Sequence, residues 1–142
     1  MSAFVVDASV VVKWFVPEIH SDAAHRLLEL PHRYFAPDLL FAETANTIWK
    51  KVRRGELKSA QGQQLVADIG RTAVEAIPCR MLAEDAFALA ITIDRTVYDC
   101  LYLALAVRLN TRMLTADTRF VIGLAHLSLL AKHVELIQAF KG

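Results

Sequence analysis

The chain has 142 residues, of which 55% are hydrophobic and 22% charged, and its formal net charge is +1. That length suits one domain, residues 1–142, with a core of its own, and the composition excludes a disordered chain. The near-neutral balance excludes a generally basic nucleic-acid coat, so any grip on a polyanion must come from a local cluster.

Two cysteines, Cys79 and Cys100, match no zinc spacing and read as free thiols in a reducing compartment. No segment reaches the roughly 18 apolar residues of a membrane span. The longest candidate, Phe120 to Ala131, is interrupted by Gly123, His126 and Ser128. The opening residues lack a basic region and carry Asp7, unlike a signal peptide, so a cytoplasmic location is expected.

Ala3 to Val6 predicts a short buried strand, and Ala8 to Phe15 a helix stopped before Pro17, in spite of β-branched Val10, Val11 and Val12. Ser21 to Leu30 predicts a second helix and Arg33 to Ala36 a strand. Asp38 stands where an N-cap would open a long helix to about Arg54, with Leu39, Leu40, Ala42, Ala45, Ile48, Trp49 and Val52 at helical spacing and Gly55 beyond. Ser59 to Gly70 predicts a helix, Val74 to Ile77 a strand ended by Pro78, and Leu82 to Ile93 an apolar helix. Thr96 opens another helix that runs through Leu109. Arg112 to Thr115 predicts a strand, Asp117 to Gly123 a short helix, and Val134 to Ile137 a last strand. Short strands alternating with helices predict an α/β fold around a parallel sheet, whose ligands bind beyond the carboxyl ends of the strands.

Four acidic residues stand at or near the ends of apolar stretches: Asp7, Glu43, Asp99 and Asp117. Each has an ordinary alternative. Asp7 and Asp117 suit helix caps or turns, Glu43 suits a solvated helix face, and Asp99 fits a capping box opened by Thr96. Taken together they suggest more. Carboxylates gathered at one place repel, and their pKa values rise unless a cation lies between them. A divalent metal held by oxygen is an economical cation for such a cluster, and phosphodiester hydrolysis is a common use of it. Thr115 and Thr96 offer hydroxyls to support such ligands, and Asn46 shares the polar face of Glu43. His20, His25, His32, His126 and His133 lie outside these segments. The cations Lys50, Lys51, Arg53 and Arg54, with Lys58 beyond, end the long helix; they suit its dipole or an RNA backbone. Trp14, Phe15, Phe41, Trp49 and Tyr102 suit a core or interface better than stacking on bases.

Four segments carry a resemblance over the whole chain: Val5-Val6-Asp7-Ala8-Ser9, Pro37-Asp38-Leu39-Leu40 leading to Glu43 and Asn46, Tyr98 to Ala106, and Leu114 to Phe120. In order and spacing they resemble the PIN-domain nucleases, and more narrowly the VapC-type toxins of toxin–antitoxin pairs. The resemblance implies a three-layer α/β/α fold with a central, mainly parallel sheet. It also implies an endoribonuclease dependent on Mg²⁺ or Mn²⁺, a homodimer, inhibited by an antitoxin. By the same resemblance Asp7, Glu43, Asp99 and Asp117 are the acidic metal-site positions. Thr115, Thr96 and Asn46 are polar neighbours of them. Thr118 and Arg119 stand where some relatives carry a further acidic residue.

Other readings are a structure-specific DNA 5′-nuclease, a phosphatase with Asp7 as nucleophile, and a non-catalytic PIN-like nucleic-acid-binding protein. The chain lacks the long insertions of the first. It has Ser9 where the second needs another aspartate, and it keeps all four acids that the third would have lost.

Overall fold

The structure, a computed structural model, describes residues 2–142. In chain order its elements are β1 Ala3–Val6, α1 Ala8–Phe15, α2 Ser21–Leu28, β2 Arg33–Pro37, α3 Leu39–Arg53, α4 Ser59–Ile69, β3 Val74–Ile77, α5 Ala83–Ile93, α6 Val97–Arg108, β4 Met113–Thr115, α7 Thr118–Leu124, α8 Ser128–Ala131 and β5 Val134–Leu136. The strands form one sheet in the order β3-β2-β1-β4-β5, with every pair parallel.

The chain lays β1, β2 and β3 outward in one direction, then returns to place β4 on the other side of β1. Right-handed crossovers running in opposite directions put their helices on opposite faces, which gives the three-layer α/β/α fold. The helices contact one another accordingly: α1 packs on α2, α3 and α4, whereas α6 packs on α5 and spans β1, β2 and β4. The switch in direction falls between β1 and β4, and a doubly wound sheet leaves a crevice at that point.

The core follows the sequence pattern. Val5 and Val6 in β1 and Leu114 in β4 are fully buried, as are Val10 and Val11 on α1. In α6 every residue from Cys100 to Ala106 is buried, so this helix is apolar all round rather than on one stripe. Helices α3 and α4 approach closely at Gly62. A Cβ there would lie 2.9 Å from Val52 Cγ2 and 3.3 Å from Ile48 Cγ2. Lys13 is buried on α1 and donates to Glu18 at 3.3 Å, while Lys51 of α3 holds the other oxygen of Glu18 at 3.3 Å.

Several expectations need correction. Asp38 does not cap α3: its backbone is already helical, and its carboxylate instead accepts from the Cys79 amide at 3.0 Å. That contact ties the start of α3 to the chain leaving β3. Helix α2 stops at Leu28 rather than Leu30, and β4 begins at Met113. Ile137 leaves the last strand for a 3₁₀ turn, Ile137–Ala139. A second such turn, Cys79–Met81, and the single turn of α8 are too short to leave a periodic signal. Among the described residues no helix is long and apolar enough to cross a membrane.

Candidate active site

Asp7 is the first residue past β1. Its amide still donates to Leu114 O of β4 at 3.3 Å, so the two strand ends remain in register one step beyond the ladder. That register sets Asp7 beside Thr115, whose hydroxyl donates to Asp7 Oδ2 at 2.5 Å. The other carboxylate oxygen, Oδ1, accepts from Ser9 Oγ at 2.5 Å and from the Val10 amide at 3.3 Å. Asp7 is therefore both the cap of α1 and a member of a polar group at the switch point. Ser9 and Thr115 brace it further. The Ala116 amide donates to Ser9 Oγ at 3.0 Å, and the Asp117 amide to Thr115 Oγ1 at 3.0 Å.

Glu43 comes from the second turn of α3 and Asp99 from the first turn of α6. Tyr102, one turn on from Asp99, is buried, and its hydroxyl donates to Glu43 Oε1 at 2.6 Å. Asp117 caps α7, accepting from the Phe120 amide at 3.1 Å. Its second oxygen accepts from Arg95 Nη2 at 2.9 Å, and the same nitrogen reaches Asp99 Oδ2 at 3.2 Å. All four acids, with Ser9, Tyr102, Thr115 and Phe120, line one cavity of about 170 Å³ beyond the carboxyl ends of β1 and β4.

The acids divide into two pairs. Asp7 and Glu43 have no ion-pair partner among the described residues; their donors are hydroxyls and an amide. The Asp7 carboxyl is raised from 3.8 to about 6: burial pushes it up, its three hydrogen bonds offset part of that push, and the charge of Glu43 adds a smaller upward one. Glu43 is also raised, first by burial and then by the charge of Asp99, with Tyr102 opposing. Burial therefore outweighs the mutual repulsion expected from the sequence. Burial and then Glu43 drive the Tyr102 phenol upward, so it stays a donor at neutral pH. Asp99 and Asp117 are more exposed and share the guanidinium of Arg95.

The donor set suits a hard divalent cation. Four carboxylates and three hydroxyls line the cavity, and neither histidine nor cysteine does. Two of those carboxylates, Asp7 and Glu43, carry a desolvation cost that no protein cation among the described residues offsets. As they stand, however, no three His, Cys, Asp or Glu side chains among the described residues are gathered closely enough to hold one ion. A metal therefore fits the site by its donor chemistry and its volume rather than by a preformed cluster.

The remaining candidates are placed differently. Thr96 caps α6 by accepting from the Asp99 amide at 3.1 Å, and does not line the cavity. Asn46 is exposed on α3 and also lies outside it. Lys51 is drawn to Glu18 and Glu56, and Arg54 to Glu56; Arg53 lies over the Trp49 ring at 5.4 Å, and Lys50 is exposed. None of the five histidines reaches the cavity. Tyr102 is buried against Glu43 and offers no face for a base, whereas Trp49 is 53% exposed.

The sequence pattern does not single out Ser9, Arg95 or the hydroxyl of Tyr102 as site groups. A signal for Arg95 is present all the same: it stands four residues before Asp99, at the spacing of a helical ion pair. Tyr102 carries no comparable sign, because its partner Glu43 comes from another element, whereas Ser9 stands only two residues after Asp7.

Comparison with known proteins bears on the family and the fold. Residues 4–122 match the PIN domain. The chain is 36% identical over 116 residues to Ribonuclease VapC3 of Pyrobaculum aerophilum, covering 80% of this chain and 88% of that protein. In shape it is similar to PAE2754 from Pyrobaculum aerophilum, with a TM-score of 0.67 and 21% identity, covering 97% of this chain and 93% of the other. It is also similar to VapC20 of Mycobacterium tuberculosis, a sarcin–ricin loop cleaving toxin, with a TM-score of 0.66 and 17% identity, over 84% and 93% of the two chains.

Proposed function

The chain belongs to the PIN-domain family, among its VapC-type ribonucleases, and on that premise we propose that it is an endoribonuclease that hydrolyses RNA phosphodiester bonds as the toxin of a toxin–antitoxin pair. The observation that carries the reading is the meeting of Asp7, Glu43, Asp99 and Asp117, from four separate segments, around one cavity at the switch point of the sheet. The site is built for Mg²⁺ or Mn²⁺, with Asp7 and one of Asp99 or Asp117 as direct ligands and the other acids acting through water. Such an ion supplies a water of lowered pKa and positive charge for the phosphate oxygens.

The chain's own groups do the positioning. Ser9 and Thr115 hold the two oxygens of Asp7 from opposite sides, so its carboxylate is oriented before any ligand arrives. Tyr102 fixes Glu43 in the same way. The backbone ladder between Asp7 and Leu114 keeps the Asp7 and Asp117 segments side by side. Of the four cations ending α3, Lys50 and Arg53 are exposed and have no carboxylate partner among the described residues, so they are the ones we assign to an RNA backbone. A homodimer, a cognate antitoxin protein and a cytoplasmic location belong to this proposal as well.

The test is cleavage of RNA by the metal-stripped chain with Mg²⁺ or Mn²⁺ restored. The expected products carry a 5′-phosphate and a 3′-hydroxyl, and Asp7→Asn abolishes them. Products ending in a 2′,3′-cyclic phosphate, or full activity in Asp7→Asn, refute the proposal.

A further inference from the structure

Arg95 is the only cation at this cavity's acids among the described residues. It lies in the short link between α5 and α6, after Asp94 in the left-handed conformation at φ 56° and before the α6 cap Thr96. Its main chain is therefore pinned at the mouth of the site. One nitrogen, Nη2, serves Asp117 at 2.9 Å and Asp99 at 3.2 Å, while the guanidinium rests over the Phe120 ring at 4.9 Å. The contact joins the first turns of α6 and α7, which share no strand. The inner acids Asp7 and Glu43 receive no such cation.

We propose that Arg95 is the site's own counter-cation: it holds Asp99 and Asp117 in a closed arrangement that a divalent ion must open, and so sets how tightly the site takes metal. The inference rests on the metal-dependent reading of the proposed function. Three observations support it. The two carboxylates that Arg95 takes are the two not already fixed by hydroxyl donors. The four acids line one cavity, yet no three of them are gathered for an ion while Arg95 is engaged. A divalent ion that also engages Asp7 gains a ligand the guanidinium does not touch, so it wins the exchange once its concentration suffices. Release of Arg95 is cheap, because the side chain is 30% exposed and keeps the Phe120 face.

The expected size follows from competition. Apparent affinity falls with the fraction of sites that are open. Two partly exposed ion pairs favour the closed form by about tenfold. Arg95→Gln, which removes the charge, therefore binds Mn²⁺ about tenfold more tightly than the unaltered chain. Arg95→Lys, a point charge that spans two carboxylates less well, falls between them.

Isothermal titration of the metal-stripped full chain with Mn²⁺ alone decides the matter, with folding checked by thermal melting in EDTA. If the unaltered chain binds no Mn²⁺, or Asp7→Asn binds it equally well, the metal-dependent reading itself fails. If binding needs Asp7 but Arg95→Gln matches or falls below the unaltered chain, only the Arg95 inference fails. Should Arg95→Gln not fold, Arg95→Lys carries the test. Its affinity then exceeds that of the unaltered chain by about threefold, and equal affinity overturns the inference.

Discussion

Asp7→Asn should make the metal-free protein more stable while removing its chemistry. Burial raises the Asp7 carboxyl from 3.8 to about 6, so keeping it ionised in the folded chain at neutral pH costs about 3 kcal/mol. Asparagine avoids that charge. It loses part of the bonding, because its amide faces Thr115 Oγ1, which already accepts from the Asp117 amide, or faces Ser9. One weakened hydrogen bond costs about 1 kcal/mol. The net gain is about 2 kcal/mol, or about 6 °C in melting temperature for a domain of this size. The pH dependence has a definite sign. Between 3.8 and about 6 the folded chain holds a proton that the unfolded chain has released. The stability of the unaltered protein therefore falls as pH rises through that window and levels off above it. The substitution removes this slope. Differential scanning fluorimetry in EDTA should show the variant ahead at pH 8 and level with, or behind, the unaltered chain at pH 4.5. Saturating Mn²⁺ should reverse the order at pH 8 by stabilising only the chain that retains the carboxylate. A variant less stable at pH 8 in EDTA, or an equal gap at both pH values, would refute the reasoning.

Tyr102→Phe leaves the raised, partly buried Glu43 without its donor and should cost about 1–2 kcal/mol in urea unfolding; an unchanged midpoint contradicts the role given to that hydroxyl. Glu18→Gln strips the buried Lys13 of its counter-charge and should cost about 2 kcal/mol, less than for a fully buried pair because Glu18 is 27% exposed. Thermal melts in low and high salt separate that loss from a surface effect, which salt would erase. Replacing Lys50 and Arg53 together with glutamine should weaken RNA binding and reduce its dependence on salt, the logarithmic slope shrinking by about 1.4 if both meet phosphates. An unchanged slope in filter binding excludes them from the RNA path.

Much of the fold is legible in the sequence because the signals are local. The helical spacing of Leu39 to Val52, the unbroken apolar run of α6, and Pro17, Gly55 and Pro78 as stops act within a few residues, so the elements fall close to where the pattern puts them. The clearest departure is not local: Asp38 has the signs of a cap, yet its carboxylate is claimed by Cys79, 41 residues away, and nothing near it in the chain announces that contact. Thr96, by contrast, caps α6 as the local pattern before Asp99 suggests, and its hydroxyl does not line the cavity.

The same division runs through the site. The amino-acid order alone pointed to these four acids, not one by one, since each has an ordinary use, but through the order and spacing in which their segments resemble the PIN-domain nucleases. It also determined the strand or helix to which each acid belongs. Only the folded chain decided how they meet. The strand order brings the ends of β1 and β4 together, so that Thr115 bonds Asp7 across a sequence separation of 108 residues. It decided as well that Ser9, Thr115 and Tyr102 orient the inner acids, and that Arg95 neutralises the outer ones. The reason is physical: backbone propensity and periodic burial act over a few residues, whereas desolvation and charge pairing depend on which groups packing brings within a few ångströms.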